Sequence, residues 1–176
     1  MLGEEADATI DGVALAATGQ NHDTLTHVSH VVPFATSDQI FRTIADTRGK
    51  TSFAGKVTVE KDAQKTAADQ SFKALVFDRT GEANAKPELE IFADDVKCSH
   101  GATVGELDSK AIFYLTSRGI DPVTARQMLV EAFTADALLR VDTDPVRDAM
   151  TACISDWMTV RADRVVPDAV ATLEAE

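Results

Sequence analysis

Ser52-Phe53-Ala54-Gly55-Lys56-Val57-Thr58-Val59 alternates small or polar residues with apolar ones and is rich in β-branched side chains. A period of two marks a strand with one buried face. Similar runs lie on both sides: Ala8–Leu15 and Leu25–Phe34 before it, Phe72–Phe77 and Leu89–His100 after it. Between them stand Gly12, Gly19-Gln20-Asn21, Gly49, Gly55, Gly81 and Pro87, the residues that punctuate strands with turns. The first hundred residues therefore read as many short strands. A sandwich or barrel would need hairpins, and the only Asp-Gly or Asn-Gly pair there is Asp11-Gly12. A β-solenoid needs none, because each coil stacks on the last. Periodicity alone leaves the two architectures open.

Past Gly105 the period becomes helical. Asp108 is placed to cap a helix carrying Ala111, Ile112, Leu115 and the pair Phe113-Tyr114, with Arg118 in its last turn and Gly119 as the stop. Asp121-Pro122 starts a second helix, with Val123, Met128, Leu129, Ala132, Phe133 and Leu138 as its apolar side. Asp144-Pro145 starts a third, whose expected stripe is Val146, Met150, Cys153, Trp157 and Val160. The acidic end from Pro167 is expected to fray. The order predicts a mainly β region over 1–104 and a small α-helical domain over 105–176.

The charge balance, 29 acidic against 17 basic residues and a net −12, opposes binding to nucleic acid or to anionic membranes. No apolar run is long enough to span a bilayer, and the acidic start, Met1 to Thr9, has no signal-peptide pattern, so the expected location is the cytoplasm. Cys98 and Cys153 are the only cysteines, too few for a disulfide framework or a self-contained four-cysteine site.

The sharpest local feature is Asp94-Asp95-Val96-Lys97-Cys98-Ser99-His100-Gly101-Ala102-Thr103. On an extended strand Cys98 and His100 share a face, about 7 Å apart. Thiolate and imidazole are both good iron ligands, so the pair makes half a metal site that a second chain would complete. The plain alternative is a small buried thiol with no ligand role. Asp94 and Asp95 are adjacent and make a poor acid–base couple. His27 and His30, three apart, fall on opposite faces, and with His22 they read as ordinary strand positions. Cys153 is expected to pack inside the third helix's stripe. Nucleophile-elbow, Walker, dinucleotide-binding and zinc-protease motifs are all missing, so no enzyme signature is present.

Several stretches in order carry a resemblance. They are Phe53-Ala54-Gly55-Lys56-Val57-Thr58-Val59, Ala63-Gln64-Lys65-Thr66 with Gln70, Pro87-Glu88-Leu89-Glu90-Ile91, the Cys98 segment above, and Phe113-Tyr114-Leu115 with Arg118-Gly119-Ile120. Together they resemble the SufB/SufD family of iron–sulfur cluster assembly proteins from about Asp23 to Phe133. The Cys-Ser-His-Gly-Ala-Thr-Val-Gly segment is similar to the SufD branch rather than to SufB.

The resemblance implies a right-handed parallel β-helix followed by a C-terminal helical domain. It implies a non-ATPase, non-enzymatic scaffold of a SufBCD complex, pairing with a SufB-like subunit and docking a SufC-like ATPase. His100, with Cys98 beside it, would be a ligand for iron or a nascent cluster shared with the partner, not held stably by this chain alone. Phe113, Tyr114, Arg118 and Met128 are the expected docking residues, although burial against the end of the β-helix is the expectation for at least one of Phe113 and Tyr114. Against the family pattern, the sequence begins inside the β-helix, so it is expected to be a fragment that self-associates, with a homodimer as one form. The rival readings are a carbohydrate-active β-helix enzyme with an Asp-rich groove, and a metal-free interaction module.

Overall fold

The computed structural model of the chain describes residues 1–161. It separates into two compact units, one ending at Glu106 and the other beginning at Leu107. The fraying expected from Pro167 lies outside the described residues.

The first unit is a parallel β-helix. Its strands are β1 Asp7–Ala16, β2 Asn21–His30, β3 Thr36–Ala45, β4 Lys50–Val59, β5 Ala67–Val76, β6 Glu82–Ile91 and β7 Lys97–Glu106. The odd strands form one four-stranded sheet in the order β1-β3-β5-β7, and the even strands form a three-stranded sheet, β2-β4-β6. Every pairing is parallel, and each residue meets the one 29 to 32 positions further along. Alternate residues of both sheets turn inward. Phe53 of β4 lies between Phe41 of β3 and Phe72 of β5, with ring centroids 4.8 and 5.2 Å away. A second apolar cluster joins Val28, Val57, Val59, Ala63, Ala68 and Ala93.

Three readings of the sequence need correction here. β3 is absent from the expected strands, because Ser37, Gln39 and Thr43 are buried polar residues and break the apolar alternation. The run Leu89–His100 is not one strand: it spans the end of β6, a corner and the start of β7. Gly12, Gly55 and Pro87 are not in turns; they lie within β1, β4 and β6, and a Cβ on Gly12 would sit 2.6 Å from the Phe41 ring.

The second unit holds α1 Ser109–Thr116, α2 Pro122–Leu138 and α3 Asp144–Thr159. Asp108 and Asp121 cap α1 and α2 by accepting backbone N–H bonds, as their spacing predicts. Gly119 lies just past α1 at φ +86°, a left-handed conformation that glycine adopts without strain. The cap of α3 is Thr143 rather than Asp144. Its buried residues are Ile154 and Met158, so the packed face is turned by about one residue, ~100°, from the expected stripe. Cys153, Val146 and Val160 are exposed in consequence. On α2 the fully buried residues are Ala125, Val130, Thr134, Ala137 and Leu138, while Met128 is exposed.

Candidate functional site

Inward side chains on β3, β5 and β7 form columns, because the parallel register stacks like positions on adjacent rungs. One column runs Ser37, Ala68, Cys98 and the next runs Gln39, Gln70, His100. Cys98 and His100 therefore share the inward face of β7, as alternation requires. β7 is the last strand of its sheet, and most of its residues are exposed. Cys98 is half-buried and packs on the Val57–Ala68 cluster, whereas His100 is exposed. Burial pushes the Cys98 thiol above its ordinary pKa, partly offset by a hydrogen bond with the Ala68 backbone. The thiol is thus held in its protonated form until a cation or a neighbouring positive charge favours the thiolate.

Around this pair the surface is fixed by polar bonds. The Ser99 hydroxyl, on the outward face, donates to Asp69 on the next rung at 3.0 Å. From the corner before β5, Gln64 Nε2 donates to Asp94 in the corner before β7 at 2.9 Å, and Lys65 pairs with Asp95 there. An open groove of about 490 Å³ crosses the starts of β1, β3, β5 and β7, and Cys98 and Ser99 line its β7 end. Asp7, Asp38 and Asp69 also line it, so its acidic residues belong to the Cys98 region. Among the described residues no three His, Cys, Asp or Glu side chains are grouped to hold a metal ion.

Two other histidines make side-chain hydrogen bonds within the β-helix. His27 faces outward and bonds Thr58 Oγ1 at 3.1 Å. His30 faces inward, is fully buried, and bonds Ser37 Oγ at 2.8 Å. Burial lowers its pKa, so the imidazole is kept neutral.

In the helical unit, Phe113 and Tyr114 are 66% and 54% exposed. The Arg118 guanidinium lies over the Tyr114 ring, 4.2 Å from its centroid, just beyond the helix rather than in its last turn. Met128 is not part of that group. It lines a separate groove of about 470 Å³ between α2 and α3, with Ala135, Leu138, Leu139 and Ile154. No described helix is long and apolar enough to cross a membrane.

Comparison with known proteins places this architecture. Residues 1–133 match the family model of the SufBD core domain of the SUF system for iron–sulfur cluster assembly. The chain is 40% identical over 146 residues to the iron–sulfur cluster assembly protein SufD of Escherichia coli, covering 83% of this chain and 33% of that protein. It is 36% identical over 153 residues to a SufBD family protein of Synechocystis, covering 86% and 34%. It is 37% identical over 132 residues to the chloroplastic protein ABCI7 of Arabidopsis thaliana, covering 73% and 28%. The chain thus spans about a third of the length of these relatives. A parallel β-helix with helices after it, matched by that family model over residues 1–133, belongs to the SufBD family of iron–sulfur cluster assembly proteins, on its SufD-like side.

Proposed function

We propose that this chain is a non-catalytic scaffold that supplies half of a shared iron–sulfur site. Cys98 and His100 are its ligands, and a SufB-like subunit contributes the others. The observation that carries this reading is the position of the two residues: one inward face, on the last rung of its sheet among the described residues. Two donors cannot hold a cluster, and no third His, Cys, Asp or Glu joins them among the described residues. A second chain is therefore part of the reading, and the inner face and edge of β7 are where it would dock. A second copy of this chain, docking edge to edge, is the homodimeric form of the same contact. Iron or the nascent cluster is cargo, passed through the seam rather than kept by this chain.

The helical unit is assigned to a SufC-like ATPase. Exposed Tyr and Arg side chains are the residue types that anchor interfaces, and Tyr114 with Arg118 forms such a pair beside Phe113. Met128 belongs to the α2–α3 groove and would act as a second, apolar contact.

The test is co-expression with SufB-like and SufC-like partners, followed by iron and sulfide analysis of the purified complex. Cys98→Ala and His100→Ala should leave the complex assembled and lower its iron and sulfide content. Unchanged content in both variants would mean that this chain offers no ligand and acts as a metal-free module. Phe113→Ala with Tyr114→Ala should release the ATPase and spare the SufB-like partner.

A further inference from the structure

The inward residues of β5 run Ala68, Gln70, Phe72. Ala68 belongs to the apolar cluster around Val57, and Phe72 belongs to the aromatic cluster around Phe53. A polar column therefore separates two apolar ones: Gln70, with Gln39 beside it in register on β3. The two glutamines are 1% and 0% exposed, yet neither Oε1 nor Nε2 of either has a hydrogen-bond partner among the described residues. The amides are neighbours without being bonded to one another. Thr26 Oγ1 on β2 is buried and unpartnered as well. Thr26 pairs in register with Gly55, and a Cβ on Gly55 would lie 3.0 Å from Gln70 Nε2. Having no side chain, Gly55 lets the Gln70 amide approach the sheet that carries Thr26. Amides and hydroxyls buried in this way are costly unless paired, and folded proteins pair them with protein or with ordered water.

We propose that Gln39, Gln70 and Thr26 form a binding site for ordered water inside the β-helix. The site offers two amide nitrogens, two amide oxygens and a hydroxyl, so its ligand must both donate and accept. None of the three side chains is charged, so nothing in them offsets the hydration that an ion would lose on entering. The ligand is also small, because the Phe53 ring and Gln70 Nε2 already crowd Gly55. Water meets all three demands, and a buried water typically bonds about three polar groups. The column is then a hydrogen-bonded layer between two apolar ones, independent of any metal at Cys98 and His100.

NMR on the ¹⁵N-labelled 176-residue chain tests this with water itself as the probe. Laboratory-frame and rotating-frame Overhauser spectra together separate a long-lived water from surface water and from proton exchange. The five glutamines, Gln20, Gln39, Gln64, Gln70 and Gln127, are few enough to assign by single Gln→Met variants. The carboxamide protons of Gln39 and Gln70 should contact long-lived water, while those of exposed Gln20 should meet only surface water. Thr26→Val keeps the shape of the side chain but removes its hydroxyl, and should weaken the water contact at Gln70. Thr26→Ser, which retains the hydroxyl, should preserve it. The unmodified chain alone can overturn the proposal, either by showing no long-lived water at the two amides or by showing a through-bond coupling that joins them directly. A water contact indifferent to Thr26→Val would overturn the three-sided site.

Discussion

Gln70 on β5 and Gly55 on β4 share one volume inside the β-helix. A Cβ built on Gly55 would lie 3.0 Å from Gln70 Nε2 and 2.5 Å from the Phe53 ring. The glycine is required by close approach, not by backbone conformation, since it sits within a regular strand. The Phe53 ring cannot yield, because it is held between Phe72, which stacks on it, and Phe41, which meets it at a tilt. Gly55→Ala should therefore destabilise the β-helix by about 1–3 kcal/mol, the usual cost of overpacking. Urea unfolding checks this, and an unchanged midpoint would contradict the shared volume.

The aromatic stack and the exposed aromatics of α1 should respond oppositely to truncation. Phe53 is 2% exposed between two rings, so Phe53→Ala should cost about 3–5 kcal/mol. Phe113 is 66% exposed, and Phe113→Ala should change stability by less than about 0.5 kcal/mol. Thermal melts of the two variants decide it. A large loss at Phe113 would mean that the ring is packed rather than presented to a partner.

Cys98 should react slowly with iodoacetamide near neutral pH. Burial raises its pKa, so the nucleophilic thiolate is scarce until the solution passes the ordinary thiol range. In a Cys153→Ser background Cys98 is the only thiol, and its half-maximal alkylation should fall above that range. The linkage has a definite sign. The contribution is intact below the ordinary thiol pKa and is lost as pH rises toward the elevated folded value. Half-maximal reaction at or below the ordinary value would show that the thiol is not desolvated.

His30 should make the β-helix acid-sensitive. Its folded pKa is lowered by burial, so the unfolded chain takes up a proton first as pH falls. Stability should be full above the ordinary value of 6.5 and decline as pH drops from there toward the depressed folded value. Replacing His30 by Gln, which keeps a bond to Ser37 within reach, should flatten the decline over that window. Denaturant midpoints measured between pH 7 and pH 5 provide the test.

The strands around Phe53 and Val57 were legible because their inward residues are apolar, and alternation reports such faces directly. β3 was not, because three of its inward residues are Ser37, Gln39 and Thr43, which a hydrophobic pattern reads as surface. The missed signal was a different one: the repeat of Asp-Gln-x-Phe at 38–41 and 69–72, whose spacing matches one coil and points to a solenoid. Period two placed Cys98 and His100 on one face. It could not show that β7 is the terminal rung, since that depends on which strands pair. On α3 a stripe of Val146, Met150, Cys153, Trp157 and Val160 competes with one through Ile154 and Met158. Only packing against α2 selects the second, because the two differ by a single residue of rotation.

The pairing between successive coils spans 29 to 32 residues, but every strand keeps ten. All variation in length is therefore absorbed at the corners, where the chain reverses toward the other sheet. An insertion between Phe92 and Val96 would lengthen a bend and leave the thiol and imidazole pointing inward. One extra residue between Cys98 and His100 would reverse the parity of every later strand position and turn the imidazole outward, away from the thiol. Corners can drift in length over descent, while the short stretch holding both donors tolerates substitution but not a change of count.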